Sequence, residues 1–321
     1  MRVGLLLLLL VALPYRSPAP LIYRPGEGWT YETPGAKGDW HRARAKDQLA
    51  VAQQAFDNKK YRLALKSAQR VIRVWLSDYS PQAQYLIGRC YEELKMDEYA
   101  FNAYQTLLDK YPKSTYAIEV QHRQFAIAVK YLHGQWFKLF GHIPFFPSMD
   151  KTSEMFAKIV RYGPYGELGP QSQMNIGVAR EKEKEYPLAV KAYETAADRY
   201  TDQPQVAADA LYKAAQAYTK QARKAEYDQS VAAQAISAFT DFMALHPDDP
   251  RVPEAQKVIT SLKAEEARGN FRTAEFYEKE KKWDGALVYY NEVISRNAGS
   301  PLAAQARERI DFLKRRRMAA K

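Results

Sequence analysis

Small residues and bulky aromatics recur along this chain at fixed distances, with polar residues filling the helical spacing between them. Counted from Pro81 as position 1, Gly88, Tyr91, Ala100, Tyr104, Leu107 and Pro112 fall at positions 8, 11, 20, 24, 27 and 32. Counted from Pro170, Gly177, Ala189, Tyr193 and Ala196 fall at 8, 20, 24 and 27. Ala274, Tyr277, Ala286, Tyr290 and Val293 repeat the series at 8, 11, 20, 24 and 27. A looser first copy has Ala52 and Ala64, again 12 apart. A fifth has Ala235, Phe239, Phe242 and Pro247, with a first helix around Ala215 and Tyr218 that is longer by about eight residues. Residues 115–162 hold one more pair with a long insert. A self-similar period of this size means stacked helical hairpins.

The spacing has a physical reason. Small residues at 8 and 20 let two antiparallel helices approach closely, the larger ones at 11, 24 and 27 fill the gaps, and proline at 32 ends the second helix. This is the tetratricopeptide spacing. The fold class expected is all-α: a tetratricopeptide-type helical-hairpin solenoid of about six helix pairs plus a capping helix near 301–315. The cap is expected to be polar on one side, through Arg307, Glu308, Asp311, Lys314 and Arg315.

The leader changes the picture. Val3–Leu13 is an apolar run that stops at Pro14, shorter than the roughly 20 residues of a membrane span. Residues 1–19 therefore read as a secretion signal, either cleaved after Ala19 or retained. Residues 20–45 read as an extended linker rich in Pro, Gly and aromatics, either a strap on the first helices or a segment that docks on a partner. Repeats follow at 46–162 and 163–315, with a basic tail at 316–321. The net charge of +11 admits membrane phosphates, nucleic acid or acidic proteins as partners. The one cysteine, Cys90, reads as a buried structural thiol.

The stretch Ala103-Tyr104 … Tyr111-Pro112-Lys113-Ser114-Thr115-Tyr116-Ala117 resembles the repeat junction of the BamD (YfiO/ComL) family. Arg268-Gly269, Ala274-Glu275-Phe276-Tyr277, Trp283 … Ala286 and Ser300-Pro301 resemble that family's last repeat. The resemblance implies a periplasmic scaffold that supports assembly of outer-membrane β-barrel proteins, with a barrel-assembly subunit or unfolded outer-membrane protein segments as partners. Family members are usually lipoproteins. This chain has no lipobox cysteine, so the expectation is an exported protein of the periplasm or outer-membrane periphery of a Gram-negative-type bacterium, not lipid-anchored. The alternative is a general envelope scaffold for cell division or polysaccharide export.

No catalytic constellation accompanies the repeats. The histidines at 41, 122, 133, 142 and 246 show no metal-ligand spacing, so neither metal nor cofactor is expected. Gly163–Pro170 is a turn without the strand and GK[ST] of a phosphate loop. The alternation Glu181-Lys182-Glu183-Lys184-Glu185 reads as a solvated helix end. The expectation is a protein-binding, non-enzymatic chain with no nucleic-acid partner.

Three surfaces are candidates for binding. First helices of such pairs line a groove, which singles out Tyr85, Met174 and Phe271 as apolar anchors and Arg89 or Arg268 for a carboxylate. The alternative is that these are plain solvated groove positions. The insert 136–147 carries Trp136, Phe137, Phe140, Phe145 and Phe146, and is either an exposed interaction patch or a satellite core tucked on its own helices. Lys314–Arg317 suits a helix C-terminus, which suffices to explain it; a peripheral contact with an anionic membrane surface is the alternative.

Overall fold

The computed structural model describes residues 21–24, 28–31, 40–139, 141–224 and 229–319. The described residues form thirteen helices and two short antiparallel ribbons. The expected secretion signal, residues 1–19, lies outside them. The chain divides into two compact units, Met1–Pro147 and Ser148–Lys321. The division falls inside the pair expected between 115 and 162, ahead of the expected boundary at 163.

In the first unit β1 (Leu21–Arg24) pairs with β2 (Gly28–Tyr31) within the expected linker, and Tyr23 lies opposite Trp29. The helices α1 (Ala45–Asp57), α2 (Tyr61–Val74), α3 (Ser80–Glu93), α4 (Asp97–Lys110) and α5 (Ala117–Leu132) follow, each packed on the next. The insert forms a second ribbon, β3 (Phe137–Leu139) with β4 (Ile143–Phe146).

The second unit contains α6 (Met149–Tyr162), α7 (Gly169–Lys182), α8 (Tyr186–Arg199), α9 (Pro204–Lys224), α10 (Gln229–Leu245), α11 (Val252–Lys279), α12 (Trp283–Arg296) and α13 (Pro301–Ala319). Here too consecutive helices pack on each other, as in a quasi-one-dimensional stack. The lengthened α9 matches expectation. The 28-residue α11 does not, because a new pair was expected to begin inside it. Nothing between Pro253 and Lys281 breaks the helix: Gly269 is tolerated in its interior at modest cost. The α13 helix buries Ala303, Ala306, Ile310 and Leu313 and exposes Arg307, Glu308, Asp311, Lys314 and Arg315, as a cap should. It continues through residues 316–319, where a basic tail was expected.

The repeat positions pack as their sizes require. Ala52, Ala64, Ala100, Tyr104, Leu107, Ala189, Tyr193, Ala196, Ala274, Ala286 and Tyr290 are all buried. A Cβ on Gly88 would meet Tyr104 Cε1 at 2.1 Å, and one on Gly177 would meet Tyr193 Cε1 at 2.3 Å. Position 8 is thus the seat of the aromatic ring at position 24. Cys90 is buried in the cluster that holds Ala64, Ala68 and Ile87, and burial pushes its thiol up to about 12.

Two devices escape the hydrophobic pattern. Each of four hairpin turns has one lysine in the left-handed region: Lys59, Lys95, Lys184 and Lys281, at φ 58, 59, 61 and 58°. All four occupy position 15 of their repeat. Around Lys95 the amide of Lys95 donates to Glu92 O at 2.9 Å and that of Met96 to Tyr91 O at 2.9 Å, the two closing bonds of a Schellman motif. The same pair of bonds recurs at the other three turns. Second, a buried amide side chain stands at position 4. Gln84 Nε2 donates to Ala103 O at 2.8 Å, and Gln173 Nε2 donates to Ala192 O at 3.0 Å, tying first helix to second helix.

Candidate protein-binding groove

The first helices carry the polar chemistry of each unit. In the first unit Tyr85 and Arg89 on α3 meet Tyr116, Glu119 and Arg123 at the start of and along α5. The Tyr85 ring stacks on Tyr116 at 4.5 Å between centroids and 15° between planes. Its hydroxyl donates to Glu119 Oε1 at 2.5 Å and accepts from Arg89 Nη1 at 3.0 Å. That bond from Tyr85, with Arg123 behind it, holds the Glu119 carboxyl below its ordinary range. Arg123 bridges Glu92 at 2.9 Å and Glu119 at 2.8 Å. Arg89 lies 5.3 Å from the Phe56 ring centroid and 5.9 Å from that of Tyr85. Its nearest ion-pair partner among the described residues is Glu92 at 3.8 Å. The guanidinium is therefore held in place by rings and by a hydroxyl, and its Nε is buried without a hydrogen-bond partner.

In the second unit Met174 is buried on α7, in the floor of a cavity of about 350 Å³ between α7 and α9. Pro170, Gln171, Val178, Val206 and Lys213 also line it. Further along, Phe271 on α11 is half-buried and meets Tyr290 edge-on at 5.3 Å, while Arg268 is exposed one turn earlier. A second cavity, of about 380 Å³, lies one turn beyond them among Glu275, Glu278, Lys279, Trp283, Tyr290 and Arg309.

A relationship between repeats, missed in the sequence, organises these surfaces. The residue at position 24 is Tyr and at position 12 is Glu in three repeats. Tyr193 donates to Glu181 Oε2 at 2.7 Å and Tyr290 to Glu278 Oε2 at 2.9 Å. Each glutamate is then gripped by a base on a helix further along: Glu181 by Lys220 of α9, Glu278 by Arg309 of α13, and Glu92 by Arg123 of α5. Glu181 was expected on a solvated helix end. Instead its side chain is largely buried, because the adjacent repeat covers it. Burial, followed by the bond to Glu278, pushes the Tyr290 hydroxyl up to about 12. The exception is Tyr104, whose hydroxyl is buried with no hydrogen-bond partner while Glu92 turns to Arg123.

The insert residues divide. Phe137 is tucked in and stacks on Tyr131 at 4.2 Å, whereas Trp136, Phe145 and Phe146 are exposed. Phe140 lies outside the described residues. At the C-terminus Lys314, Arg315 and Arg316 are exposed, and the Arg316 guanidinium sits 5.2 Å over the Trp283 ring. Among the described residues no group of three or more His, Cys, Asp or Glu is disposed to hold a metal ion, and no helix is long and apolar enough to cross a membrane.

Helical hairpins stacked within each unit, with small residues seating the rings of their partner helices, define a tetratricopeptide repeat protein, and a tetratricopeptide repeat model matches residues 82–114. The model of the family YfiO, described as outer membrane lipoprotein, matches residues 148–319, the whole second unit to within two residues of the chain end. The chain belongs to the YfiO family. No curated protein matches it in sequence. Among solved structures, the C-terminal part of a tetratricopeptide repeat-containing protein from Cytophaga hutchinsonii is 13% identical, covering 82% of this chain and 87% of that one, with a TM-score of 0.35. MamA from Desulfovibrio magneticus is 15% identical over 67% and 99%, with a TM-score of 0.30. The apo form of RapI is 14% identical over 84% and 76%, with a TM-score of 0.34.

Proposed function

We propose that this protein is a scaffold of the bacterial envelope that supports assembly of outer-membrane β-barrel proteins by holding protein segments along its first-helix surfaces. The observation that carries the reading is the coincidence of the YfiO family match, residues 148–319, with the second compact unit. The partners are a barrel-assembly subunit or unfolded barrel segments, and the site of action is the periplasmic side of the outer membrane. Arg89 receives a carboxylate in the first unit. Met174 floors an anchor pocket in the second, and Arg268 and Phe271 flank the last cavity. An extended segment fits such surfaces because its main chain finds polar groups while alternate side chains enter pockets.

Photo-crosslinking in the native envelope tests this. A photoreactive amino acid replaces Gln171 beside the Met174 cavity, or Arg268 on α11. Capture of a β-barrel assembly subunit or nascent barrel proteins is expected from both. Capture of division or polysaccharide-export proteins, with no barrel component, overturns the barrel role.

A further inference from the structure

The β3–β4 ribbon is fastened to α4 and α5 and still carries bare apolar side chains. Phe137 is 3% exposed under Tyr131. The Lys138 amide donates to Glu98 Oε1 at 2.6 Å, Gln135 Nε2 donates to Asp97 Oδ2 at 2.7 Å, and Lys138 Nζ donates to Lys95 O at 2.7 Å. Away from these fastenings Trp136 is 51%, Leu139 43%, Ile143 57% and Phe145 59% exposed. Four large apolar side chains on a ribbon this well tethered cannot hide by local rearrangement, and a patch of that kind marks an interaction surface.

We propose that this exposed end of the ribbon docks on an anionic lipid bilayer, with its bare apolar side chains entering the headgroup region. Charge is the first reason. From Val120 through Met149 the chain has no Asp or Glu; Arg123 is spent on Glu92 and Glu119 and Lys130 on Asp97, which leaves the Lys138 ammonium, on the Lys95 carbonyl, with His133 and His142 as the ribbon's own basic groups. The acids that meet the ribbon, Asp97 and Glu98, belong to α4 and are turned onto Lys130, Gln135 and the Lys138 amide. Basic residues beside an apolar face draw it to anionic lipid.

The second reason is that the ribbon is a poor template for a protein strand. Lys138 pairs with Pro144 in the register. Since the Lys138 amide turns away from β4 to Glu98, this is the non-hydrogen-bonded kind of pair, and Pro144 faces the outer edge of β4. There it has no N–H to give, and the corresponding donor on β3 is already taken. What remains is an apolar surface without main-chain directionality, with a tryptophan among aliphatic and phenyl groups, the mixture that favours the membrane–water interface.

The test uses the full chain carrying Ile143→Cys labelled with an environment-sensitive fluorophore, and Leu76→Cys, 92% exposed, as the control position. Cys90 is buried and does not compete for label. On vesicles of phosphatidylglycerol and phosphatidylethanolamine, the label at 143 is expected to shift blue and to be quenched by brominated acyl chains. The label at 76 is expected to stay unchanged, and neutral phosphatidylcholine vesicles are expected to bind about tenfold less. The pair Trp136→Ser and Phe145→Ser, which leaves Phe137 and the fastening bonds in place, is expected to abolish the shift at 143 without changing the melting curve. The label at 143 reports on the ribbon whatever other segments do. No shift on anionic vesicles overturns the proposal, as does a shift unaffected by the double substitution. A shift produced only by an added protein of the barrel machinery, and not by lipid, also overturns it and makes the face a protein interface.

Discussion

The hydroxyl of Tyr193 donates to Glu181 Oε2 at 2.7 Å across the two helices of one hairpin, with Lys220 of α9 on the other carboxylate oxygen. The bond does two jobs. It satisfies a hydroxyl on an otherwise buried ring, and it fixes a carboxylate for the next hairpin to grip. Tyr290, Glu278 and Arg309 do the same further along. Tyr104 occupies the equivalent position with its hydroxyl unsatisfied. Tyr193→Phe is therefore expected to destabilise the protein by about 1 kcal/mol, whereas Tyr104→Phe is expected to be neutral or slightly stabilising. Urea midpoints of the two variants, side by side, check the contrast.

Gly177 and Gly88 seat these rings, and a Cβ at either position would overlap Tyr193 or Tyr104. Gly177→Ala is expected to cost about 1–3 kcal/mol through overpacking. In the double variant with Tyr193→Leu the added cost of the alanine is expected to shrink, because the smaller side chain frees the seat. A double-mutant cycle in urea reads the coupling.

The four lysines at position 15 sit where a side chain is unwelcome. Lys95→Gly is expected to raise stability by about 1 kcal/mol, since the left-handed conformation costs a residue with a Cβ roughly that much. The same change at Lys191, exposed inside α8, is expected to lower it by about 1 kcal/mol. Thermal melts of both variants decide the point.

Asp249 and Arg251 close the turn between α10 and α11. Arg251 donates from its backbone and its guanidinium to the Asp249 carboxylate, and lies 4.8 Å over the Tyr212 ring. These bonds hold the Asp249 carboxyl down at about 2. A carboxyl depressed on folding stabilises the fold above its unfolded value of 3.8. That contribution fades as pH falls from about 4 towards 2. Asp249→Asn is expected to be less stable than the parent at pH 7 and to lose less on acidification. Denaturation midpoints between pH 2.5 and 7 measure it.

The sequence disclosed those features that depend on side-chain size at a fixed spacing. Gly88, Ala100 and Tyr104 announce a hairpin because no other sizes let the two helices meet. It was silent where the backbone or a neighbouring repeat decides. Lys95 is not a turn former by composition, and its left-handed conformation is imposed by the Schellman bonds that end α3. Gln84 and Gln173 look like surface residues until the carbonyls of Ala103 and Ala192 are seen to need donors. Glu181 sits in an alternating charged run and is covered only because Tyr193 and Lys220 converge on it. The insert gave its aromatics but not their division. Phe137 turns inward because Tyr131 offers a ring to stack on, while Trp136 and Phe145 have no such seat. In the groove, Tyr85 looked like an open apolar anchor, yet its ring is stacked on Tyr116 and its hydroxyl bonded to Glu119, partners that lie in the next hairpin.

The central claim, that this scaffold serves outer-membrane barrel assembly, is tested most directly by depleting the protein in its native cell. Folded barrel proteins in the outer membrane are then quantified by their resistance to cold detergent. The account predicts that folded barrels fall while unfolded barrel chains accumulate in the periplasm, and that a plasmid copy restores both. Unchanged folded barrels after complete depletion would contradict it.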